Sequence, residues 1–263
     1  MKYLSDYHLH SYFSFDGKQS MEEAVIEAVK NNINELCFTE HVSFDPEDKS
    51  YKTFNFTDYK NEIERLSLIY SDSIKIKAGI EVGEYHLYKK DFDEYYKNND
   101  IDFIIGSIHN INNKGLRTNL KEYGDFKSYE DYFKEVLMLS EVGEFDVLGH
   151  LDIIQRYAFD EYGVYNLSKY KEYIYEILKT LIFRGKGIEI NTSGLPNNLL
   201  FPKLEILKMY KDLNGEIITV GSDAHNSARV GENISYVYDI LKSLNFKYVF
   251  TFYKRKKQGI LIP

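Results

Sequence analysis

The sequence predicts a single α/β domain in which short parallel strands alternate with helices. Strand and helix patterns alternate about seven times along the 263 residues, and strands joined by helical crossovers are expected to lie parallel. Neither a low-complexity linker nor an abrupt change of composition interrupts the pattern. We therefore assign residues 1–263 to one domain. Seven short strands fit a closed or nearly closed barrel better than an open sheet, although periodicity alone does not separate the two.

The predicted strands are short apolar runs, and most of them end in a histidine or a carboxylate. The first is the extended, half-apolar segment that begins at Ser5 and contains His8 and His10. Alternating or continuously apolar runs of this length are typical of strands. The later strands are predicted at 36–39, 74–80, 103–108, 146–149, 187–191, 217–221 and 248–253.

Helical patterns occupy most of the connections. Ser20 followed by Glu23 is a capping box, which predicts the start of a helix, and alanine and valine pairs follow at helical spacing. The segments 43–57 and 112–127 are expected to be loops, as is the segment before residue 168. Further helices are predicted at about 58–70, 91–98, 128–140, 168–184, 202–213 and 233–241.

The first chemical signal is the pair His8 and His10. In a strand, side chains two residues apart point to the same side, and two imidazoles on one face make a natural start for a divalent metal site. Short motifs of this kind also occur by chance. The interpretation therefore depends on the rest of the chain.

Histidines and carboxylates also occur at the carboxyl ends of the other predicted strands. In a parallel barrel these ends meet on one face, where barrel enzymes hold their active sites. Hydrogen-bonded polar core residues are the alternative, but such residues would not gather at the same end of six strands. His86 lies in a polar loop and is assigned no role. The residues that meet on this face are His8, His10, Glu40, His41, Glu81, His109, His150, Asp152, Glu189, Asn191, Asp223 and His225.

This mixture of imidazoles and carboxylates, without cysteine, suits zinc, manganese or iron. The set is too large for one tetrahedral ion. A bridging carboxylate and two or three ions would use it fully.

The composition excludes some classes of function. The net charge of −8 argues against a nucleic-acid binder that works through a broad basic surface. It does not exclude a small anionic substrate, because metal ions supply local positive charge.

The single cysteine, Cys37, lies in an apolar run, and we interpret it as a small buried hydrophobe rather than a nucleophile. One cysteine cannot form a disulfide within the chain, which fits a reducing compartment. The N-terminus is too polar for a signal peptide, and no apolar run approaches about 18 residues. We expect a cytoplasmic protein without a membrane segment.

The ordered set of motifs resembles the polymerase-and-histidinol-phosphatase (PHP) superfamily of metal-dependent phosphoesterases, and within it the stand-alone histidinol-phosphatase branch. The resemblance runs from Asp6 to about Arg255. It implies a distorted (β/α)7, TIM-like barrel that holds three divalent transition-metal ions (zinc, manganese or iron). The motifs that carry it are Asp6-Tyr7-His8-Leu9-His10-Ser11, Phe13-Ser14-Phe15-Asp16-Gly17, Thr39-Glu40-His41, Gly79-Ile80-Glu81, Gly106-Ser107-Ile108-His109, Gly149-His150-Leu151-Asp152, Glu189-Ile190-Asn191-Thr192-Ser193-Gly194 and Gly221-Ser222-Asp223-Ala224-His225.

The resemblance also implies a role for each residue of the set. The first ion would be held by His8, His10, Glu81 and Asp223. Glu81 would bridge to a second ion, which would also be held by His109 and His150. The third ion would be held by Asp16, His41 and His225. Four further residues would orient these ligands, namely Glu40, Asp152, Glu189 and Asn191.

The same resemblance bears on phosphate binding. Arg156 matches a family arginine that contacts the phosphate, and a surface arginine is the alternative. The branch usually carries a second arginine just after Ser-Gly-Leu, but here that position is Pro196. Arg229 and Lys203 are candidates to supply the missing cation, and Arg117 is the next arginine to consider.

The implied activity is hydrolysis of a small phosphomonoester, with L-histidinol phosphate, a histidine-biosynthesis intermediate, as the first candidate. A hydroxide bridging the ions held by Glu81 and Asp223 would attack phosphorus. Asp152, Asp16 or a metal-bound water would protonate the leaving oxygen, and the sequence does not choose among them. The alternatives are another phosphate ester (a nucleotide, sugar phosphate or phosphotyrosyl peptide) and a non-catalytic metal-binding scaffold. Neither nucleic acid nor a membrane is expected as a partner.

Overall fold

A computed structural model describes residues 2–262 and arranges them around a central parallel sheet. In the described chain this sheet has seven strands in the order β1-β2-β3-β4-β7-β8-β9, and every neighbouring pair is parallel. The strands are β1 (Ser5–Asp6), β2 (Glu35–Val42), β3 (Lys75–Gly83), β4 (Phe103–Ser107), β5 (Asn110–Ile111), β6 (Lys114–Gly115), β7 (Val147–Leu148), β8 (Gly187–Asn191), β9 (Ile218–Gly221), β10 (Tyr248–Tyr253) and β11 (Lys256–Leu261).

The sheet closes on itself through its first and last strands. The Tyr7 amide donates to the Val220 carbonyl at 2.9 Å, and the Asp223 amide donates to the His8 carbonyl at 2.7 Å. These bonds join the chain after β1 to the chain around the end of β9. The predicted α/β barrel of parallel strands is therefore confirmed.

Helices cover the outside of the barrel. The capping box that was predicted to start the first helix is present, since Ser20 Oγ accepts from the Glu23 amide and the Glu23 carboxylate accepts from the Ser20 amide. The first helix buries an apolar stripe against the sheet, as an amphipathic helix must. The helices are α1 (Met21–Lys30), α2 (Phe56–Ile69), α3 (Lys89–Asn98), α4 (Leu116–Val142), α5 (Ile154–Tyr162), α6 (Lys171–Phe183), α7 (Leu204–Asp212) and α8 (Ile234–Ser243).

The prediction of a loop over 112–127 is wrong. Asn112 and Asn113 have positive φ angles and turn the short hairpin β5–β6, after which α4 begins at Leu116. Gly124, with φ 74°, then kinks the helix. The two asparagines form the tight turn of the hairpin, and the glycine forms the kink within the helix.

The segment before residue 168 is not entirely loop either, because it contains α5. The residue at the N-cap of this helix is Ile153, whose side chain makes no capping hydrogen bond. The helix therefore lacks the sequence signal that marks most helix starts. This matters for function, since α5 carries Arg156.

The predicted last strand exists, but it pairs with a partner that was not expected. Strand β10 forms an antiparallel hairpin with β11 through a turn at Lys254 and Arg255, both with positive φ. Phe252 of this hairpin packs on Phe103, the first residue of β4, with ring centroids 4.9 Å apart. The hairpin thus covers the amino end of the barrel, opposite the strand ends that carry the polar residues.

Cys37 is fully buried in the small apolar cluster at this end, as expected for a structural cysteine. No helix within residues 2–262 combines the length and the hydropathy needed to cross a membrane.

Candidate active site

The centre of the site is formed by two histidines that leave β1 side by side. His8 and His10 are fully buried, and their Nε2 atoms lie 3.2 Å apart. Leu9, between them, points the other way into the apolar core. The period-two geometry predicted from the sequence is present, and both imidazoles face the carboxyl end of the barrel.

Glu81 lies between two groups of imidazoles. Its Oε1 atom is 2.9 Å from His150 Nε2 and 3.2 Å from His109 Nε2. Its Oε2 atom is 3.1 Å from His41 Nδ1 and 3.2 Å from His8 Nε2. Because each oxygen faces a different group, the carboxylate could contribute one oxygen to a cation on either side.

Asp223 faces the first pair from the end of β9. Its Oδ1 atom is 3.7 Å from His8 Nε2 and 3.6 Å from His10 Nε2. The residue has φ 54°, in the left-handed region that aspartate tolerates better than most residues. The turn in the backbone directs the side chain towards the barrel axis.

The outer part of the site is made by Asp16, His41 and His225. Asp16 Oδ2 lies 3.3 Å from His225 Nε2 and 3.6 Å from His41 Nε2. The second oxygen of Asp16 is buried and has no hydrogen-bond partner among the described residues. A buried, unpartnered carboxylate oxygen beside two imidazoles suits a metal ligand.

The structure brings all nine predicted metal ligands together. Their donor atoms form four overlapping groups of three within the described chain, in each of which the atoms lie within 4.8 Å of one another. Asp16 joins them through the two imidazole contacts above. The groups are His8, His10 and Asp223; His8, Glu81 and His150; His41, Glu81 and His109; and His10, His41 and His225.

Both central carboxylates are held ionised by these imidazoles. Burial acts to raise the pKa of Glu81, but His8, His109 and His41 bring it well below its usual range. The pKa of Asp223 is likewise held low, against burial, by His8, His10 and Arg156. An ionised carboxylate is the form that binds a cation.

Glu189, on β8, positions two of the histidines. Its Oε1 atom lies 2.6 Å from His8 Nδ1, and its Oε2 atom accepts the His150 amide at 2.7 Å. A carboxylate on the far nitrogen of an imidazole fixes its orientation and leaves Nε2 free to bind. The predicted orienting role of Glu189 is consistent with these contacts.

Two of the other three predicted orienting residues, Glu40 and Asn191, act on loops. Glu40 accepts hydrogen bonds from the Ser11 amide, at 3.0 and 3.1 Å, and from the Ser14 hydroxyl at 2.5 Å. It therefore holds the loop that leads to Asp16. Asn191 accepts the Ser193 amide at 3.0 Å and so fixes the turn after β8.

Sequence reasoning missed one residue of this kind, Glu84. It is buried, and its Oε1 atom accepts the amides of His109 at 2.6 Å and Asn110 at 2.8 Å. It therefore holds the turn that carries His109. The signal was available, since Glu84 is a carboxylate just past the end of a strand, three residues after Glu81.

Asp152 lies below the site rather than at its surface. It is fully buried, and its Oδ2 atom accepts the Tyr165 hydroxyl at 2.9 Å and the Lys203 amide at 3.3 Å. Burial raises the pKa of its carboxyl to about 7. Asp152 does not line the cleft, so the structure does not place it beside the metal ligands as a catalytic group.

A cleft of about 210 Å³ opens above the ligand cluster. Arg156 reaches it from α5, with Nη2 3.1 Å from Asp223 Oδ2 and a further hydrogen bond to the Ser193 hydroxyl. Its position is that of a cleft residue, not of a free surface arginine. The lining residues are Phe15, Asp16, His41, Asp48, Ser50, Glu81, His109, His150, Ile153, Arg156, Tyr157, Asp223 and His225.

The other candidate cations do not line the cleft. Arg229 donates to the Glu232 carboxylate at 2.7 Å and to the Ser193 carbonyl at 3.0 Å. The Lys203 ammonium is buried and donates to the Tyr165 carbonyl at 2.6 Å. Arg117 lies over the ring of Tyr157, 5.5 Å from its centroid.

Pro196 itself is exposed in a short 3-10 turn over Leu195–Asn197.

His86 lies apart from the cluster. Its Nε2 atom is 2.6 Å from the Glu135 carboxylate on α4. The assignment of no catalytic role to this histidine agrees with that position.

Comparison with known proteins identifies the family. The family model described as the PHP domain matches residues 6–193. The chain belongs to the PHP domain family. The predicted family is therefore confirmed.

Curated relatives of this PHP domain cover nearly the whole chain. The histidinol-phosphatase of Lactococcus lactis is 30% identical over 257 residues, which is 94% of this chain and 93% of that protein. A probable histidinol-phosphatase of Clostridium acetobutylicum is 33% identical over 249 residues, 93% of this chain and 95% of the relative.

Solved structures agree with the fold. The crystal structure of histidinol phosphate phosphatase from Lactococcus lactis, complexed with zinc, L-histidinol and phosphate, superposes with a TM-score of 0.88 and 29% identity, covering 97% of this chain and 98% of that one. The crystal structure of a putative histidinol phosphatase from Listeria monocytogenes superposes with a TM-score of 0.74 at 22% identity. The match covers 88% of this chain and 99% of that one. The latter shows the fold alone.

The donor set of this PHP domain fits divalent transition metals. It offers six imidazoles and three carboxylates, with no thiolate, and its central members are buried. Zinc, manganese and iron accept such ligands. Nδ1 of His150 and Oδ1 of Asp16 have no hydrogen-bond partner within residues 2–262, so the cluster does not satisfy all of its own polar atoms.

Proposed function

We propose that this PHP domain is a metal-dependent phosphomonoesterase that hydrolyses L-histidinol phosphate to L-histidinol and phosphate. The observation that carries the proposal is the cluster of nine imidazole and carboxylate side chains at the floor of a cleft beside Arg156. The similarity to the Lactococcus lactis enzyme, whose structure holds zinc, L-histidinol and phosphate, supports the choice of substrate.

We assign the ligands to three ions, of zinc, manganese or iron. The first would be held by His8, His10, Glu81 and Asp223. The second would be held by Glu81, His109 and His150. The third would be held by Asp16, His41 and His225. Such ions, when bound, polarise a phosphate group and lower the pKa of water towards neutrality.

The chain's own residues perform the remaining tasks. Arg156 binds a phosphate oxygen through charge-assisted hydrogen bonds and offsets the charge that builds up as the ester bond breaks. Glu189 holds the imidazole of His8, and Glu84 holds the backbone amide of His109 and so the turn that carries this histidine. Because these groups are fixed before the substrate arrives, they need no rearrangement during the reaction.

The leaving oxygen needs a proton, and two carboxyl groups were candidates to supply it. Asp16 lines the cleft, whereas Asp152 is enclosed by Tyr165 and Lys203. Asp16 is assigned to the third ion, however, and although burial acts to raise the pKa of its carboxyl, His225 and His41 hold that pKa below its usual range, so Asp16 carries no proton. We therefore propose that neither carboxyl group donates the proton and that water at the ions would supply it. Asp152 acts as a positioning residue for the segment after His150.

Hydrolysis of a different small phosphate ester is the second candidate. It is favoured by Pro196, which stands where the branch usually has an arginine, and by the engagement of Lys203 and Arg229 in other contacts. A nucleotide, a sugar phosphate or a phosphotyrosyl peptide could be the substrate. A non-catalytic scaffold is disfavoured, because it would not require a complete set of metal ligands beneath an open cleft.

The acidic net charge and the lone buried cysteine support two further parts of the proposal. The substrate is a small phosphorylated molecule rather than a nucleic acid. The enzyme works in the cytoplasm, where thiols stay reduced.

A phosphate-release screen with added manganese or zinc tests the proposal. The panel contains L-histidinol phosphate, a nucleoside monophosphate, a sugar phosphate and a phosphotyrosyl peptide. We expect the highest kcat/KM with L-histidinol phosphate. Higher kcat/KM with another ester would transfer the assignment to the second candidate, and no release from any of them would contradict enzymatic function.

A further inference from the structure

One carboxylate in the cleft wall has no place in the metal cluster. Among the described residues that line the cleft, the acids Asp16, Glu81 and Asp223 belong to the ligand set, and Asp48 is the remaining one. It lies in the loop between β2 and α2, which the sequence predicts as irregular. Its presence beside a site for a phosphate dianion needs an explanation.

Asp48 is held rigidly in place. Its Oδ1 atom accepts the Ser50 amide at 2.7 Å and the Ser50 hydroxyl at 2.5 Å, and its Oδ2 atom accepts the Asn110 side-chain amide at 2.9 Å. Asn110 follows His109 directly, so this bond ties the loop to the edge of the ligand cluster. The carboxylate therefore cannot swing out of the cleft without breaking three hydrogen bonds.

Asp48 also stays ionised. Burial acts to raise its pKa, but the hydrogen bonds from Ser50 and Asn110 and the nearby His109 lower the pKa below its usual value. A carboxylate has about four acceptor positions, and three are used. One remains for a donor in the cleft.

A fixed negative charge in the wall of this cleft opposes the binding of a phosphate dianion. The same charge favours a substrate that carries a cation on the side away from its phosphate, because Asp48 attracts that cation. Phosphate esters without such a cation are only repelled, so Asp48 discriminates between the two kinds of substrate. Arg156, with the ligand cluster, takes the phosphate end. The cleft thus has one anion-binding end and one cation-binding wall.

We propose that Asp48 binds the ammonium group of the substrate and that the site selects phosphate esters of alcohols with an amine on the carbon next to the ester carbon. This inference rests on the proposed function, since L-histidinol phosphate has such an amine. Asp48 is then a specificity-determining residue, and it takes no part in breaking the ester bond.

The test compares two substrates on the same protein. They are L-histidinol phosphate and its analogue in which hydrogen replaces the amino group, assayed with the metal-loaded wild type and with Asp48→Asn. Asparagine keeps the size of the side chain and can still accept from Ser50. The ratio of the two kcat/KM values does not depend on the folded fraction, so partial misfolding of the variant cannot mimic the effect.

We expect wild type to prefer the amine-bearing substrate. In Asp48→Asn that preference should fall by roughly ten- to a hundred-fold, as for the loss of a hydrogen bond between charged groups. The fall should come from a higher KM for L-histidinol phosphate with little change in kcat, while the analogue changes less than about two-fold.

Glu47→Gln is the matched control, because Glu47 is the neighbouring exposed acid on the same loop and does not line the cleft. It should leave the ratio unchanged. An unchanged ratio in Asp48→Asn, or an equal loss with both substrates, would overturn the inference and leave the proposed function intact. If wild type releases phosphate from neither substrate, the proposed function fails, and the role of Asp48 fails with it.

Discussion

The Arg156 guanidinium lies 3.1 Å from the Oδ2 atom of Asp223, a carboxylate assigned to the first ion. The positive charge on α5 is thus fixed at the edge of the predicted metal cluster, where the phosphate of a substrate would lie. This contact links the residue that we propose binds phosphate to a residue that we propose binds metal.

Replacing this arginine should impair handling of the phosphate ester and leave metal content unchanged. A charge-assisted hydrogen bond contributes about 1.5–3 kcal/mol, so Arg156→Ala should lower kcat/KM by roughly ten- to a hundred-fold. Steady-state phosphate release and elemental analysis measure the two quantities. Arg65→Ala, which removes an exposed arginine that does not line the cleft, is the control. A change of less than about two-fold in Arg156→Ala would show that this arginine does not bind phosphate.

Asp223→Asn and His8→Ala should each reduce phosphate release to background while the barrel stays folded. Both remove a ligand of the first ion, and the amide of asparagine carries no charge to replace the carboxylate. Circular dichroism checks the fold, and elemental analysis checks the metal. Normal turnover by either variant with its metals bound would refute the ligand assignment.

Glu189→Gln changes a residue that orients a proposed metal ligand rather than a ligand itself. The glutamine has nearly the same shape, but it weakens the contact to His8 Nδ1, now 2.6 Å long. Loss of such a partner typically costs about ten- to a hundred-fold in metal affinity or activity. Titration of metal into the variant, read out by phosphate release, measures the shift. Glu176→Gln, at an exposed site, should behave as wild type, and equal metal affinity in the two variants would contradict the positioning role.

Pro196→Arg should improve binding of L-histidinol phosphate. Proline offers neither charge nor an amide proton, and the structure does not bring Lys203 or Arg229 into the cleft in its place. The turn at Leu195–Asn197 is exposed, so an arginine side chain has room there. We expect a lower KM. A wild-type KM in the low micromolar range that the substitution does not improve would mean that the second cation is dispensable.

Much of the fold could be predicted, because parallel strands and their helical crossovers leave a strong pattern in the sequence. The elements that were missed lack such a pattern. Helix α5 has no capping side chain at Ile153, and α4 begins inside a segment that is rich in turn-forming residues. The turn of the last hairpin uses Lys254 and Arg255 at positive φ, where glycine or asparagine is the usual signal.

The proposed metal ligands could be predicted for a similar reason. Each stands at the carboxyl end of a strand or in the loop just after it, and the barrel brings those positions together. Contacts between side chains that are distant in the sequence produce no comparable pattern in the sequence. The bonds from the amides of His109 and Asn110 to Glu84, and the contact of Asp48 with Asn110, depend on how loops pack, which spacing along the chain does not encode.

The most direct test of the account is a metal titration of chelator-treated protein, followed by phosphate release from L-histidinol phosphate. Nine ligand side chains exceed what one tetrahedral ion can use. We predict no activity without metal and a rise that saturates only after more than one equivalent of zinc or manganese per chain. Full activity without metal, or saturation at a single equivalent, would contradict the proposed multi-metal phosphatase.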